Sequence, residues 1–204
     1  MIKKRTRPLL IGLTGSIGMG KSTLAGMLRD LGVPVFDADA VVHDMQGPGG
    51  ALVAAIEAAF PGTTGPMGVD RVRLGTQVFG DNAALARLER IVHPAVAEAQ
   101  AEFMTTHRAA PIIVLDIPLL FEKGGVSAVD RVIVVSASPE EQRRRVLARP
   151  GMTAKKFAEI LARQTPDAQK RAAADHIINT NGSLAETRAQ IASLIACLRA
   201  TSGA

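Results

Sequence analysis

A chain of 204 residues, 47% hydrophobic and 21% charged, has ample length to bury a core as one globular domain with subdomains. Its formal charge of +5 and pI of about 9.9 raise nucleic acid as a partner. Aromatics are only 3%, with no Trp or Tyr to stack on bases, so the expectation is no nucleic acid and a basic balance that serves polyphosphates. Cys197, the single cysteine, excludes an internal disulfide. In helical apolar surroundings it reads as a buried small residue in a reducing cytoplasm.

The opening Lys3-Lys4-Arg5-Thr6-Arg7-Pro8 reads as a frayed basic tail, with a nucleic-acid arm as the alternative. The apolar run after it ends at Leu13, too short for a signal-peptide core or a membrane span. That run is a strand beginning at Leu9-Leu10-Ile11, and it leads into Gly15-Ser16-Ile17-Gly18-Met19-Gly20-Lys21-Ser22. The spacing of Gly, four residues, then Gly-Lys-Ser is that of a phosphate-binding loop when a strand precedes it and a helix follows, as here. Gly15, Gly18 and Gly20 let backbone N–H groups turn inward around phosphate oxygens, and the opening helix presents its positive end. Lys21 reaches the β- and γ-phosphates and the Ser22 hydroxyl ligates magnesium. Met19 and Thr23 complete the ATP-binding stretch. The alternative is a glycine-rich turn that happens to carry Lys-Ser.

The helix from about Lys21 to Leu31 places Leu24, Met27, Leu28 and Leu31 on one face and stops at Gly32. Val33-Pro34-Val35-Phe36 is a second strand, making a parallel βαβ unit that runs into Asp37-Ala38-Asp39. Ligands gather beyond the carboxyl ends of such strands, where both aspartates fall. One of them is expected to cap the helix Ala40 to Gln46, and at least one, Asp39 by preference, to handle an attacking hydroxyl or magnesium. His43 can hydrogen-bond Asp39 or be an ordinary surface residue.

After Gly47-Pro48-Gly49-Gly50 come an Ala-rich helix to Phe60 and a Pro/Gly-rich loop from Pro61 to Gly68. Three further helices are predicted: Asp70 to Phe79, Asn82 to Val92, and Pro94 to His107. Residues 44–108 therefore read as a helical insertion that holds a second substrate. Pro94 would pre-set the first turn of the last of these helices, and His93 is structural or functional on chemistry alone.

Pro111 to Asp116 is a continuous apolar run ending in an acid, expected as a central parallel strand with a carboxylate at its tip. Asp116 there serves magnesium, directly or through water, or else bonds backbone in the next turn. Ile117 to Glu122 is an apolar loop capping the site. Further strands are predicted at Arg131-Val132-Ile133-Val134-Val135 and His176-Ile177-Ile178. Between them, Ser138 caps a helix with Pro139 at its first position and Glu140 and Glu141 in its first turn. Arg143, Arg144 and Arg145 splay around it; Arg145 and Arg149, at i and i+4, share a face and can clamp a polyphosphate. Pro150-Gly151 hinges to a helix from Thr153 to Gln164, so 138–170 reads as a lid. A terminal helix, Ser183 to Arg199, is expected to pack Leu184, Ile191, Leu194, Ile195 and Leu198 on the sheet.

Taken together, the segments Leu13-Thr14-Gly15 to Thr23, Asp37-Ala38-Asp39, Asp70-Arg71 with Val78-Phe79, His93-Pro94, Asp116 to Glu122, Ser138-Pro139-Glu140 with Arg145, and Ala174-Asp175 resemble the dephospho-coenzyme A kinases. The resemblance implies a phosphate-loop kinase fold: α/β, a parallel five-stranded sheet flanked by helices, with a helical acceptor-binding insertion and a helical lid. The nucleotide core is expected at 9–43, 109–137 and 171–200. The implied reaction carries the ATP γ-phosphoryl to the ribose 3′-hydroxyl of dephospho-CoA, with magnesium. Carried over to this chain, Asp39 orients or deprotonates the hydroxyl, and Lys21 and Arg145 stabilise charge on the transferred group. Asp37, His93, Leu119 and Leu120 stand on the acceptor side. The chain departs from the family at Ser16 and Met19, where Gly and a small residue are usual, and at Thr180, where Asn is usual. A monomer or weak homo-oligomer is expected. Another small-molecule kinase on the same scaffold is the rival; a nucleotide switch is disfavoured because no Asn-Lys-x-Asp segment reads guanine.

Overall fold

The computed structural model describes residues 7–122 and 124–202, so most of the basic run at 3–7 lies outside the described residues. Arg7 is described, and it is anchored: its guanidinium forks onto Asp130 at 2.7 and 2.8 Å while Leu10 N donates to the same carboxylate at 2.8 Å. Strand β1 (Leu9–Thr14) starts there and is buried along its whole length. It leads through the glycine loop into α1 (Lys21–Asp30) and then β2 (Val35–Asp37).

One compact unit runs to Phe36 and resumes at His107. Its later elements are β5 (Ile112–Asp116), β6 (Arg131–Ser136), α6 (Pro139–Leu147), α7 (Ala154–Ala162), α8 (Asp167–Ala172), β7 (His176–Asn179) and α9 (Leu184–Ser202). The five-stranded sheet has the order β2-β5-β1-β6-β7, with β1 paired in parallel to β5 and β6, and β6 to β7. A central β1 buried on both faces explains its continuous apolar sequence. Leu9, Ile11 and Leu13 face α1 through Leu24, Met27 and Leu28, and α9 through Ile191, Ile195 and Leu198. Leu120, Val132 and Val134 form a smaller cluster. Gly12 leaves room for it: a Cβ there would stand 2.9 Å from Leu120 Cδ2. Each large side chain so buried contributes about 1.5–3 kcal/mol.

The second unit spans Asp37–Thr106. It holds α2 (Ala38–Met45), α3 (Val53–Ala59), α4 (Arg71–Val78), α5 (Asn82–Thr106) and a small antiparallel hairpin, β3 (Thr64–Gly65) with β4 (Gly68–Val69). Leu52, Ile56, Phe60, Leu74 and Ala84 form its core, and Arg87 lies 4.6 Å above the Phe60 ring. Glu57 shapes the turn expected to be a plain loop, accepting from Gly62 N at 2.8 Å and Thr64 Oγ1 at 2.8 Å. The backbone donor at Gly62, with the Thr64 hydroxyl, holds that carboxyl below its ordinary range.

Several sequence expectations are corrected. The predicted helices 82–92 and 94–107 are one helix, α5, with Pro94 inside it. Proline removes a helical hydrogen bond and crowds the carbonyl four residues back. The helix persists because Leu88, Ile91, Val92 and Ala95, on both sides of Pro94, all pack on one core. The 138–170 region includes four of the six residues of a separate short helix, α8, and a 3₁₀ turn occupies Gly125–Ala128. Leu184 is exposed rather than packed. Cys197 is exposed as well, because the buried stripe of α9 runs through Ile191, Ile195 and Leu198 and leaves position 197 outside it. Among the described residues no helix is long and apolar enough to cross a membrane.

Replacing Pro94 with alanine restores the missing amide donor in an exposed part of α5. Pro94→Ala is expected to stabilise the chain by about 1–3 kcal/mol, read as a higher urea midpoint. A lower midpoint would mean that the bend at Pro94 is itself required for packing.

Candidate active site

The loop after β1 is built around a tight turn in which Met19 N donates to Ser16 O at 3.2 Å. Gly15 presses on β6, since a Cβ there would meet Val135 O at 2.8 Å. Gly18 combines a φ of 79° with a Cβ position only 2.5 Å from Val146 Cγ2 on α6, so no side chain fits. Met19, 2% exposed, is a plug: Ala137 N donates to its Sδ at 3.0 Å and its carbonyl accepts from Thr180 Oγ1 at 2.8 Å. Its N–H, carbonyl and side chain all have partners within the protein.

Gly20 caps α1 in the left-handed region (φ 92°), with no side-chain cap and no acid in the first turn. The N–H groups of Lys21, Ser22 and Thr23 open that helix and lack partners by helix geometry, and the helix dipole adds positive potential there. An uncapped helix start beside a lysine is a seat for an anion. The Lys21 ammonium touches Asp116 Oδ1, and Asp116, at the tip of β5, is 2% exposed. The loop after β5 is tied back by Thr14 Oγ1, which donates to Pro118 O at 3.3 Å.

On α6, Arg145 donates Nε to Glu141 Oε1 at 2.7 Å, Nη1 to Thr180 Oγ1 at 3.1 Å and Nη2 to Thr180 O at 2.5 Å. Arg144 is exposed and pairs with the same Glu141 at 2.6 and 2.7 Å. Hydrogen bonds from Arg144, then Arg145, hold the Glu141 carboxyl down at about 2, against the opposing effect of burial. Arg145 and Arg149 both line a cavity of about 250 Å³ together with Gly18, Gly20, Thr23 and Thr180. The expected arginine pair is therefore brought to the glycine loop, and Leu184 borders the same cavity.

Sequence reasoning missed two glutamines. Gln142 Nε2 donates to Ile17 O at 2.8 Å, and Ile17 N donates to Gln164 Oε1 at 3.0 Å. The signal for Gln142 was its place one turn before Arg145 on the same helix; nothing in the sequence marks Gln164. Leu119 is 37% exposed, whereas Leu120 is fully buried against the sheet. Leu120 thus supports its loop from beneath.

In the second unit, Asp37 caps α2 by accepting from Ala40 N at 3.0 Å. Asp39 is exposed in the first turn of the same helix. His43 does not reach toward Asp39; its Nδ1 lies 2.5 Å from Arg71 Nη2. His93 is exposed and lines an open groove of about 720 Å³ along α5 with Ala86, Glu89, Arg90 and Pro94. Among the described residues no group of three or more His, Cys, Asp or Glu forms a metal cage.

Residues 9–186 match the family model described as Dephospho-CoA kinase. The chain is 63% identical to the dephospho-CoA kinase of Novosphingobium aromaticivorans, over 95% of this chain and 96% of that one. With the dephospho-CoA kinase of Rhizobium meliloti it shares 54% identity over 94% and 99% of the two chains. Among solved structures it is similar to TT1252 from Thermus thermophilus, with a TM-score of 0.78 and 35% identity across 94% of this chain and 98% of that one. A glycine loop plugged by Met19, an uncapped α1, arginines on α6 and just past its end, and these matches along nearly the whole length lead to one conclusion: the chain belongs to the dephospho-CoA kinase family.

Proposed function

We propose that this chain transfers the γ-phosphoryl of ATP to the ribose 3′-hydroxyl of dephospho-CoA, giving CoA and ADP, the last step of coenzyme A synthesis. The observation that carries the reading is the start of α1, where Gly20 supplies no side-chain cap and Lys21 stands beside Asp116. A helix end left without an internal anion is suited to a polyphosphate.

In this reading Lys21 exchanges Asp116 for the β- and γ-phosphates, with the N–H groups that open α1 taking the remaining oxygens. Arg145, already fixed by Glu141 and Thr180, sets a positive charge on the far side of the triphosphate, and Arg149 adds a second. The cavity beside Thr180 and Gly182 takes the adenosine. Ser22 Oγ and the Asp116 carboxylate, directly or through water, would hold magnesium. Both are hard oxygen donors, and magnesium on nucleotides takes few protein ligands. When bound, the ion neutralises charge on the phosphate oxygens. Phosphoryl transfer has a loose transition state, so alignment and fixed positive charge supply most of the acceleration.

Asp39, exposed just past the carboxyl end of β2, is the carboxylate that orients or deprotonates the acceptor hydroxyl. Asp37 is engaged as a cap and holds α2 in place. The helical insertion at 44–108 takes the acceptor, with His93 and Leu119 contributing, and the 138–170 lid excludes water that would otherwise accept the phosphoryl.

The direct test is incubation with γ-labelled ATP and dephospho-CoA, nucleoside monophosphates or small sugars, with the product's phosphate position assigned. Label on the ribose 3′-oxygen of dephospho-CoA alone is expected; preferential labelling of another acceptor would replace the reading with a different kinase. Asp39→Asn should lower kcat by about 10²–10⁴-fold while equilibrium titration shows ATP affinity nearly intact. Near-normal turnover would remove Asp39 as the base. Arg145→Ala should cost more in kcat/KM than Arg144→Ala, because Arg144 is bonded to Glu141 at the surface; the reverse ranking would move the charge contact to Arg144.

A further inference from the structure

Ile17 is held from both sides by side chains outside the glycine loop. It sits inside the turn closed by Met19 N and Ser16 O. Its N–H donates to Gln164 Oε1 at 3.0 Å, and its carbonyl accepts from Gln142 Nε2 at 2.8 Å. Backbone chemistry fixes both polarities: an N–H can only donate and a carbonyl can only accept. One glutamine therefore serves as acceptor and the other as donor.

We infer that Gln142 and Gln164 are positioning residues that hold the apex of the phosphate loop at Ile17 in its nucleotide-binding shape. The inference rests on the reading of that loop as the ATP site and goes further, assigning the loop's conformation to two side chains of the lid region.

Both glutamines are themselves anchored. Gln142 is 6% exposed on α6, one turn before Arg145, and Val146 next to that arginine abuts Gly18. The loop apex and the arginine that faces the phosphates are thus set by one helix. Gln164 follows α7, and its neighbour Thr165 donates its N–H to Glu122 Oε1 at 2.8 Å. The Lys170 ammonium, on a fully buried side chain, lies 2.9 Å from the same oxygen. Burial alone would push the Glu122 carboxyl up, but Lys170 and the Thr165 N–H bring it below its ordinary value. Glu122 closes the loop that begins at Asp116, so Gln164 links the phosphate-loop apex to the strand tip that carries the magnesium carboxylate. Gln142 links the same apex to Arg145.

A glycine-rich turn has many conformations, and ordering it only on contact with a triphosphate would weaken binding. Gripping Ile17 beforehand removes that cost. The consequence falls on ATP affinity more than on the rate of a saturated enzyme, because the transition state and the bound ground state use the same ordered loop.

Opposite polarity makes the test selective. Gln164→Glu keeps an acceptor for Ile17 N–H, whereas Gln142→Glu sets a carboxylate against the Ile17 carbonyl. Both variants add the same charge beside the same loop residue. ATP dissociation constants would be measured on the full chain, alongside KM for ATP, kcat and thermal melting. Gln142→Glu is expected to bind ATP about tenfold more weakly than Gln164→Glu, with the loss in KM rather than kcat. Gln142→Met and Gln164→Met, which delete each bond without adding charge, should both weaken ATP binding, and they keep the test decisive if Gln142→Glu does not fold. Equal affinities for the two Glu variants, or unchanged affinity in both Met variants, would overturn the assignment. Failure of the unsubstituted chain to bind ATP would instead overturn the reading beneath it.

Discussion

An uncapped helix start costs stability wherever no ligand or water satisfies it, because orphaned N–H groups lose free energy when withdrawn from solvent. At α1 the cost is concentrated: Gly20 provides no oxygen and the first turn carries no acid. Much of the surrounding unit reads as a support for that one defect. β1 is central in the sheet and wholly buried, so the strand that aims the loop is the hardest to displace. Met19 drives a side chain under the turn and takes a donor from Ala137. The loop is thereby fastened to β6 on one side and to the Thr180 turn on the other, while its open face is left to the anion.

Charge is managed in the same spirit. Three cations around the loop have a carboxylate within reach: Lys21 has Asp116, Arg145 has Glu141, Lys170 has Glu122. Buried ion pairs are weak sources of net stability, since desolvation offsets most of the attraction. Their effect here is on geometry, because a long flexible cation held by a fixed acid points in one direction. Glu141 shows this best. Shared between Arg144 and Arg145 and held at about 2, its carboxylate stays ionised in the folded chain as pH falls past its ordinary range and is lost only near its depressed value, so Arg145 keeps its orientation through mild acid.

How much of this the sequence disclosed depended on distance along the chain. The glycine loop, α1 and the carboxylate ending β5 were legible because each is a local pattern whose chemistry is complete within a few residues. Arg145 and Arg149 were expected to share a helix face; α6 stops at Leu147, and the turn after it still brings Arg149 to the cavity that Arg145 lines. Helix α5 was not, because a proline is a strong local signal and only the packing of Leu88, Ile91, Val92 and Ala95 on a shared core reveals that it is overridden. Cys197 was misjudged because an apolar neighbourhood in sequence says less than the angular position on the helix. Leu120 was placed on the acceptor side by resemblance, while its burial against Val132 and Val134 follows from the way its loop folds back. Gln164 was invisible for a deeper reason: its partner is 147 positions away, and no local period encodes that contact.

Thr180 ties the glycine loop to α6 in the same physical terms. A threonine hydroxyl has one proton to give and two lone pairs to accept with. Here the proton goes to Met19 O at 2.8 Å, in preference to Ser136 O at 3.4 Å, and a lone pair takes Arg145 Nη1 at 3.1 Å. One small side chain thus joins the plug of the glycine loop to the arginine on α6. An asparagine could offer a donor and an acceptor as well, but on two separate atoms and a longer stem. The hydroxyl meets the Met19 carbonyl while the Met19 sulfur takes the Ala137 N–H, so the plug is fastened through its backbone toward Thr180 and through its side chain toward the end of β6.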